Sequence, residues 1–145
     1  MDKLLDLVSS LKSITSLYIW DSKLKEDPME ALQSLSNLKL LSLYNAYDRK
    51  NLTCNAEGFQ ELRKLSVLSL AELEKWEIES GAMPGLRQLF AGYRPNLTEP
   101  PEGLRNMDSV LVVQVAEMPE AFVSKVRTYG IQKFNVQIIS KHQRA

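Results

Sequence analysis

Few residues of this 145-residue chain could serve as a nucleophile, a general base or a metal ligand. The sequence contains one cysteine, Cys54, and one histidine, His142, which lies in a polar stretch near the C-terminus. A single cysteine excludes a disulfide framework and a cysteine-rich zinc site. No nucleophile has a base at a catalytic spacing, and no side chains have the spacing of metal ligands. We therefore expect no enzyme activity, no cofactor and no metal, and we interpret Cys54 as a small buried hydrophobe.

The charge balance and the apolar runs argue against two further classes of protein. The chain has 18 basic and 18 acidic side chains, whereas nucleic-acid-binding domains usually carry a basic excess. The apolar runs are too short to span a membrane, and no secretory signal is present. We expect a cytoplasmic protein that binds neither nucleic acid nor membrane. The basic pair Arg63 and Lys64 is interpreted as ordinary solvated surface.

Leucine dominates the composition because it recurs in a repeat. The chain has 23 leucines, and the spacing L-x-x-L-x-x-L-x-L returns along its length. All twenty template positions of the five full units are apolar, and the last template positions follow one another in steps of 24, 27, 21, 24 and 21. These steps lie within the range of about 20–29 residues that leucine-rich repeats have. The full units cover residues 11–19, 35–43, 62–70, 83–91 and 107–115, and a weaker sixth ends at Val136.

The repeat predicts a fold. The terminal L-x-L alternates, as in a short strand with two inward side chains, and stacked repeats bury what one repeat alone cannot. We predict an α/β protein, a leucine-rich-repeat solenoid with a curved parallel β-sheet of about six short strands and irregular or helical outer segments. It forms a single domain over residues 1–145, with an N-terminal helix over 1–12 and a capping helix, strand and tail over 118–145.

The outer segments carry further local signals. Residues 29–38 look helical, and a final helix should begin at Pro119, run through Thr128 and end at Gly130. Leu52 and Cys54 are expected to be inward anchors of a polar excursion. Trp76 and Ile78 alternate, which predicts a second extended run with Trp76 in the core. The segment over 95–103 should be irregular because it contains three prolines.

Four stretches carry a family resemblance. They are residues 38–47 (Leu-Lys-Leu-Leu-Ser-Leu-Tyr-Asn-Ala-Tyr), 78–86 (Ile-Glu-Ser-Gly-Ala-Met-Pro-Gly-Leu), 103–107 (Gly-Leu-Arg-Asn-Met) and 118–122 (Met-Pro-Glu-Ala-Phe). Together they resemble the C-terminal repeats of plant intracellular immune receptors of the coiled-coil, nucleotide-binding, leucine-rich-repeat class. The phosphate loop of that class does not occur in this chain, so ATP binding by the family's route is not expected.

The resemblance implies a protein-recognition domain for a pathogen effector or a guarded host protein, which also contributes to autoinhibition. Residues that flank the inward leucines should face the concave side, where Tyr18, Trp20, Tyr44 and Phe90 would form a hot spot. Ser69 and Ala71 are expected on this face. One position further along each strand, we expect a mildly acidic rim of Asp21, Asn45, Glu72, Tyr93 and Glu117. The predicted partner-binding residues are Tyr18, Trp20, Asp21, Ser42, Tyr44, Asn45, Ser69, Glu72, Phe90 and Gln114.

Alternatives remain open at this point. The aromatic side chains could pack on one another or on other domains of the same receptor. The chain could instead be a substrate-receptor or scaffold module of the ubiquitin-ligase adaptor type. Solenoids need capped ends, so self-association through an exposed first strand is also expected.

Overall fold

In the described part of the chain, eight short strands form two parallel sheets. In chain order they are β1 (Ser16–Trp20), β2 (Leu40–Tyr44), β3 (Asn51–Cys54), β4 (Lys64–Leu68), β5 (Lys75–Ile78), β6 (Gln88–Gly92), β7 (Val112–Ala116) and β8 (Asn135–Ile139). The larger sheet has the order β1-β2-β4-β6-β7-β8, and β3 pairs with β5 in the smaller one. The computed structural model describes residues 13–22, 29–46, 50–70, 72–93 and 97–139. The described chain is therefore α/β, with a mostly parallel multi-stranded architecture and few helices.

The register of the larger sheet follows a constant spacing. Leu41 pairs with Leu65, Leu65 with Leu89, and Leu89 with Val113, so that partners lie 24 residues apart in the sequence. The last step, from Val113 to Val136, is 23 residues. The inward side chains of β2, β4, β6 and β7 are all buried, which gives one continuous apolar layer beneath the sheet.

Two predicted registers were wrong. The third unit was placed with Leu68 and Leu70 inward, whereas Leu65 and Val67 occupy those positions. Leucines at 62, 65, 68 and 70 all satisfy the sequence spacing, but pairing with β2 fixes which of them alternate inward. In the sixth unit the inward pair is Val136 and Ile138, not Phe134 and Val136.

The outer segments agree with the prediction in part. The first helix, α1 (Met29–Leu32), is shorter than the predicted 29–38. After α1 the chain tightens into turns, because the N–H groups of Ser34 and Leu35 donate to carbonyls three residues earlier. The last helix, α2 (Glu120–Tyr129), is capped by Pro119 and Gly130, as predicted. The helix predicted over 1–12 lies outside the described residues.

The smaller sheet closes the core on the side opposite the larger one. Leu52, Cys54, Trp76 and Ile78 all point inward and are buried, which confirms their predicted placement. That residues 51–54 form a strand was not predicted. A 3₁₀ helix (Glu102–Asn106) follows in the place that β3 and β5 have in the preceding repeats. Among the described residues, no helix combines the length and the apolar character that crossing a membrane requires.

Candidate partner-binding surface

Three aromatic side chains form a contiguous group at one end of the larger sheet. Tyr18 and Trp20 lie two residues apart on β1 and therefore share a face, and Tyr44 on β2 is the register partner of Trp20. The rings of Tyr18 and Trp20 meet edge to face at 6.0 Å, and those of Trp20 and Tyr44 are 6.1 Å apart. We call these three residues the aromatic cluster, and we call the sheet face that carries them the front face.

The cluster is held in place yet remains open to solvent. Ser42, which is buried between the two strands, accepts a hydrogen bond from the Trp20 indole Nε1 at 3.4 Å. Exposure is nevertheless 57% for Tyr18, 60% for Trp20 and 38% for Tyr44. Edge-to-face and tilted ring pairs contribute about 0.5–1.5 kcal/mol each. The rings are thus ordered by their mutual contacts, and Tyr18 and Trp20 still present more than half of their surface to solvent.

A rim borders the cluster where the strands end. It consists of five residues spaced 24 apart that share a left-handed backbone, with φ between 52° and 59°: Asp21, Asn45, Ser69, Tyr93 and Glu117. The N–H of Asp21 donates to the Tyr44 carbonyl at 2.8 Å, and Asn45, Ser69 and Tyr93 repeat this bond to the next strand. The ladder therefore extends by one residue in each repeat before the chain turns away.

Two predicted site residues do not have the places assigned to them. Ser69 is a rim residue and not a front-face residue of β4. Glu72 is exposed but lies three residues beyond the rim position, outside any strand, because the predicted register of the third unit was shifted. Asp21 and Asn45, both predicted for the rim, lie there next to the cluster, and their side chains are joined by a hydrogen bond of 3.0 Å.

The sequence prediction missed two front-face residues, Ser66 and Leu68. A strict 24-residue spacing from Ser42 and Tyr44 identifies both. Leu68 is half-buried beside Tyr44 and extends the apolar row that begins at Trp20. The apolar surface therefore covers three strands rather than two.

Phe90 and Gln114 belong to the other half of the front face. Phe90 is half-buried on β6, where its register partners are Ser66 and Gln114. The Gln114 Nε2 donates to the Gln137 Oε1 at 3.1 Å. Within the described ranges no ring contact joins Phe90 to the aromatic cluster, since β4 lies between β2 and β6. The predicted four-membered hot spot is therefore three rings plus a separate phenylalanine.

Comparison with known proteins identifies relatives along most of the chain. No family model matches it. It is 35% identical over 89% of its length to the putative disease resistance protein At1g59780 of Arabidopsis thaliana. It is 31% identical over 96% of its length to the probable disease resistance RPP8-like protein 4 of the same plant. Over most of its length, the chain is therefore similar to a segment of plant disease resistance proteins.

The chain is much shorter than the proteins that it matches. The chain spans 14% and 15% of the lengths of these two disease resistance proteins. A third relative, the disease resistance protein RPH8A of Arabidopsis thaliana, is 30% identical over 96% of the chain and is covered over 15% of its own length. The resemblance that the sequence motifs indicated is confirmed. The segment that carries the candidate surface corresponds to a small fraction of the length of each of these disease resistance proteins.

The side chains on the front face of this chain can make noncovalent contacts with another molecule. Aromatic faces, the apolar edge of Leu68 and the carboxylate of Asp21 can receive an apolar or polar side chain of another molecule. Among residues 13–22, 29–46, 50–70, 72–93 and 97–139, no group of three or more His, Cys, Asp or Glu side chains could hold a metal ion.

Proposed function

We propose that this chain is the leucine-rich-repeat recognition domain of a plant intracellular immune receptor of the coiled-coil, nucleotide-binding class. It binds a pathogen effector, a guarded host protein or another domain of its own receptor through the aromatic cluster, acts in the cytoplasm and catalyses no reaction. The observation that carries the proposal is the group of three exposed rings in mutual contact on one sheet face. The names of the relatives support the immune role.

The regular spacing supports the solenoid part of the proposal. A shift of 24 residues relates successive strands from β1 to β7 in the larger sheet and β3 to β5 in the smaller one, so each of these repeats adds one strand to the larger sheet. Stacked supersecondary units of this length bury their leucines only against neighbouring units, which is the organisation of a leucine-rich-repeat solenoid.

Mutual packing alone does not account for the cluster. More than half of the side-chain surface of Tyr18 and of Trp20 remains exposed after the rings have packed together. Aromatic residues that are ordered by neighbours, apolar and accessible are typical anchors of protein interfaces, where they lose little conformational entropy on binding. A partner that covers the cluster would bury this surface, whether it is an effector or another receptor domain.

The test uses the whole receptor that carries this chain, with the double substitution Trp20→Ala and Tyr44→Ala. If the cluster binds an effector or guarded protein, the defence response to the matching pathogen is lost. If it binds a receptor domain, the response starts without the pathogen. The matched control is Thr53→Ala with Lys75→Ala on the smaller sheet.

A direct measurement complements the test in plants. The isolated chain with both substitutions should bind a candidate effector at least about thirtyfold more weakly, since hot-spot truncations cost about 2 kcal/mol or more. The urea midpoint of the variant shows whether its fold is intact. A folded double variant with unchanged binding and unchanged receptor behaviour would sink the proposal.

Self-association through the ends of the larger sheet stays a proposal as well. Leu17 and Ile19 on β1 are only half-buried, and Ile138 on β8 is 49% exposed, although the equivalent side chains of the inner strands are buried. A strand at the edge of a sheet can pair with a second chain where its backbone groups are unpaired. Light scattering that gives a strict monomer at high concentration would contradict this part.

A further inference from the structure

A row of basic residues runs along the edge of the larger sheet where the strands begin, at the end opposite the rim. Lys39, Arg63 and Arg87 lie 24 residues apart and have the same role in successive repeats. The carbonyl of each accepts hydrogen bonds from two consecutive N–H groups at the start of the next strand. Adjacent strands lie about 4.8 Å apart, so the three basic side chains stack at this spacing.

Most of the row lacks a counter-charge. Several basic side chains elsewhere pair with carboxylates, as Lys75 does with Glu77 at 3.4 Å, and Lys39 at the start of the row pairs with Glu61 at 3.6 Å. Within the described part of the chain, Arg63, Arg87 and the neighbouring Lys64 have no carboxylate within ion-pair distance. Like charges on adjacent strands repel. The two arginines of the row, and Lys64 next to Arg63 in the sequence, are exposed and have no counter-charge among the described residues.

The row ends in an apolar residue. Leu111 has the next equivalent position, since its N–H donates to the Arg87 carbonyl at 2.8 Å and its carbonyl accepts from Asn135. It is 57% exposed and borders a shallow depression of about 330 Å³, which Phe134 also lines. The edge therefore presents cationic groups followed by an apolar contact, in a fixed order.

We propose that this edge binds an extended acidic segment of a protein partner, with carboxylates on Arg63 and Arg87 and an apolar side chain on Leu111. An arginine fork receives a carboxylate through two parallel hydrogen bonds. From Arg63 to Leu111 the row covers two strand spacings, about 9.6 Å, and an extended peptide covers this distance in about three residues. The expected segment thus has two or three acidic residues followed directly by an apolar one.

The order of charges favours a protein segment over a nucleic acid or an anionic membrane. A polyanion would gain from every positive charge and nothing from Leu111, while the chain as a whole has no net positive charge. The inference rests on the proposed function, in that the domain binds a protein, but it assigns a second surface that is separate from the aromatic cluster.

The test uses a synthetic peptide, acetyl-Gly-Glu-Asp-Glu-Leu-Gly-amide, titrated into the full chain and followed by backbone-amide NMR. Shifts should map to the starts of β4, β6 and β7. Arg63→Glu with Arg87→Glu should weaken binding at least tenfold, and Leu111→Ser about threefold. Arg127→Glu, a charge reversal at one exposed residue of α2 with half the charge change of the double variant, should leave binding unchanged. Should the charge reversal unfold the chain, Arg63→Gln with Arg87→Gln takes its place.

Further measurements separate the alternatives. The peptide with Gln and Asn in place of Glu and Asp should not bind, and Arg63→Lys with Arg87→Lys should weaken binding because the fork is lost. The inference is overturned if the peptide does not bind, if Leu111→Ser has no effect, or if a single-stranded oligonucleotide or phosphatidylserine vesicles bind more tightly than the peptide. Trp20→Ala with Tyr44→Ala should not alter peptide binding, so failure here and failure of the proposed function remain distinguishable.

Discussion

The two sheets share one core and one 24-residue spacing, but they present different side chains to solvent. The front face of the larger sheet carries three exposed rings in contact. The outward side chains of the smaller sheet are polar and pair among themselves. Thr53 Oγ1 donates to a Glu77 carboxylate oxygen at 3.5 Å, and Lys75 forms an ion pair with the same residue at 3.4 Å.

This difference distinguishes the inward side chains, which the repeat needs for folding, from the outward side chains, which a partner could contact. The inward positions of both sheets are apolar throughout, because one core serves both. Polar side chains that already bond to one another add little binding free energy when a partner covers them. Exposed rings add more, because a partner buries their apolar surface. We therefore propose that variation between repeats on the front face carries recognition, and the smaller sheet serves as a control surface within the same molecule.

The largest expected contrast lies between the two tryptophans. Trp76 on β5 is 3% exposed, whereas Trp20 on β1 is 60% exposed. Trp76→Ala removes a large buried side chain and should lower the free energy of unfolding by about 3–5 kcal/mol. Trp20→Ala should lower it by about 1 kcal/mol or less, since only ring contacts and one hydrogen bond are lost.

Urea unfolding followed by far-ultraviolet circular dichroism measures both variants without depending on tryptophan fluorescence. Comparable losses for Trp20→Ala and Trp76→Ala would show that the front-face ring is structural, and would remove the basis for assigning the cluster to a partner. Trp76→Phe, which keeps an aromatic ring in the core, should recover part of the stability lost in Trp76→Ala.

The sequence was a good guide to the repeat and a poorer one to its register. Apolar spacing identified every inward position of β2, β6 and β7, because a buried layer tolerates little else. It failed at β4, where Leu62, Leu65, Leu68 and Leu70 fit the template in a frame shifted by three residues. Local spacing cannot choose between such frames, since pairing with β2 decides. That shift displaced Ser69 and Glu72 in the predicted site and hid Leu68.

Two glycines, Gly103 next to the smaller sheet and Gly92 in the larger one, allow the packing of the two sheets to be compared. A Cβ added to Gly103 would lie 2.0 Å from the Ile78 carbonyl oxygen, because the 3₁₀ helix packs directly on β5. A Cβ added to Gly92 on the front face would meet the flexible end of Leu68 at 3.0 Å and the Ala116 carbonyl at 3.1 Å. Gly103→Ala should therefore cost about 1–3 kcal/mol, and Gly92→Ala clearly less.

Thermal and urea unfolding of the two glycine variants give the comparison. Gly92→Ala has a second readout, because its methyl group would stand beside Leu68 on the front face and should perturb partner binding more than Gly103→Ala does. Equal destabilisation by both substitutions would mean that the contact between the smaller sheet and the 3₁₀ helix adjusts to an added methyl group as easily as the front face does.

The smallest expected effect concerns how the strands of each sheet end. Rim residues of the larger sheet adopt a left-handed backbone, with φ of 52° at Asn45 and 54° at Ser69, whereas Asn55 after β3 has no positive φ. Asparagine tolerates this conformation better than serine does. Ser69→Asn should therefore raise the free energy of unfolding by about 0.5 kcal/mol, and Asn45→Ser should lower it by more, since the hydrogen bond to Asp21 is also lost. Asn55→Ser, the matched change after β3, should stay within about 0.5 kcal/mol of the parent. Urea midpoints measured in parallel test all three, and a Ser69→Asn variant no more stable than the parent would show that the rim backbone is not what distinguishes the two sheets.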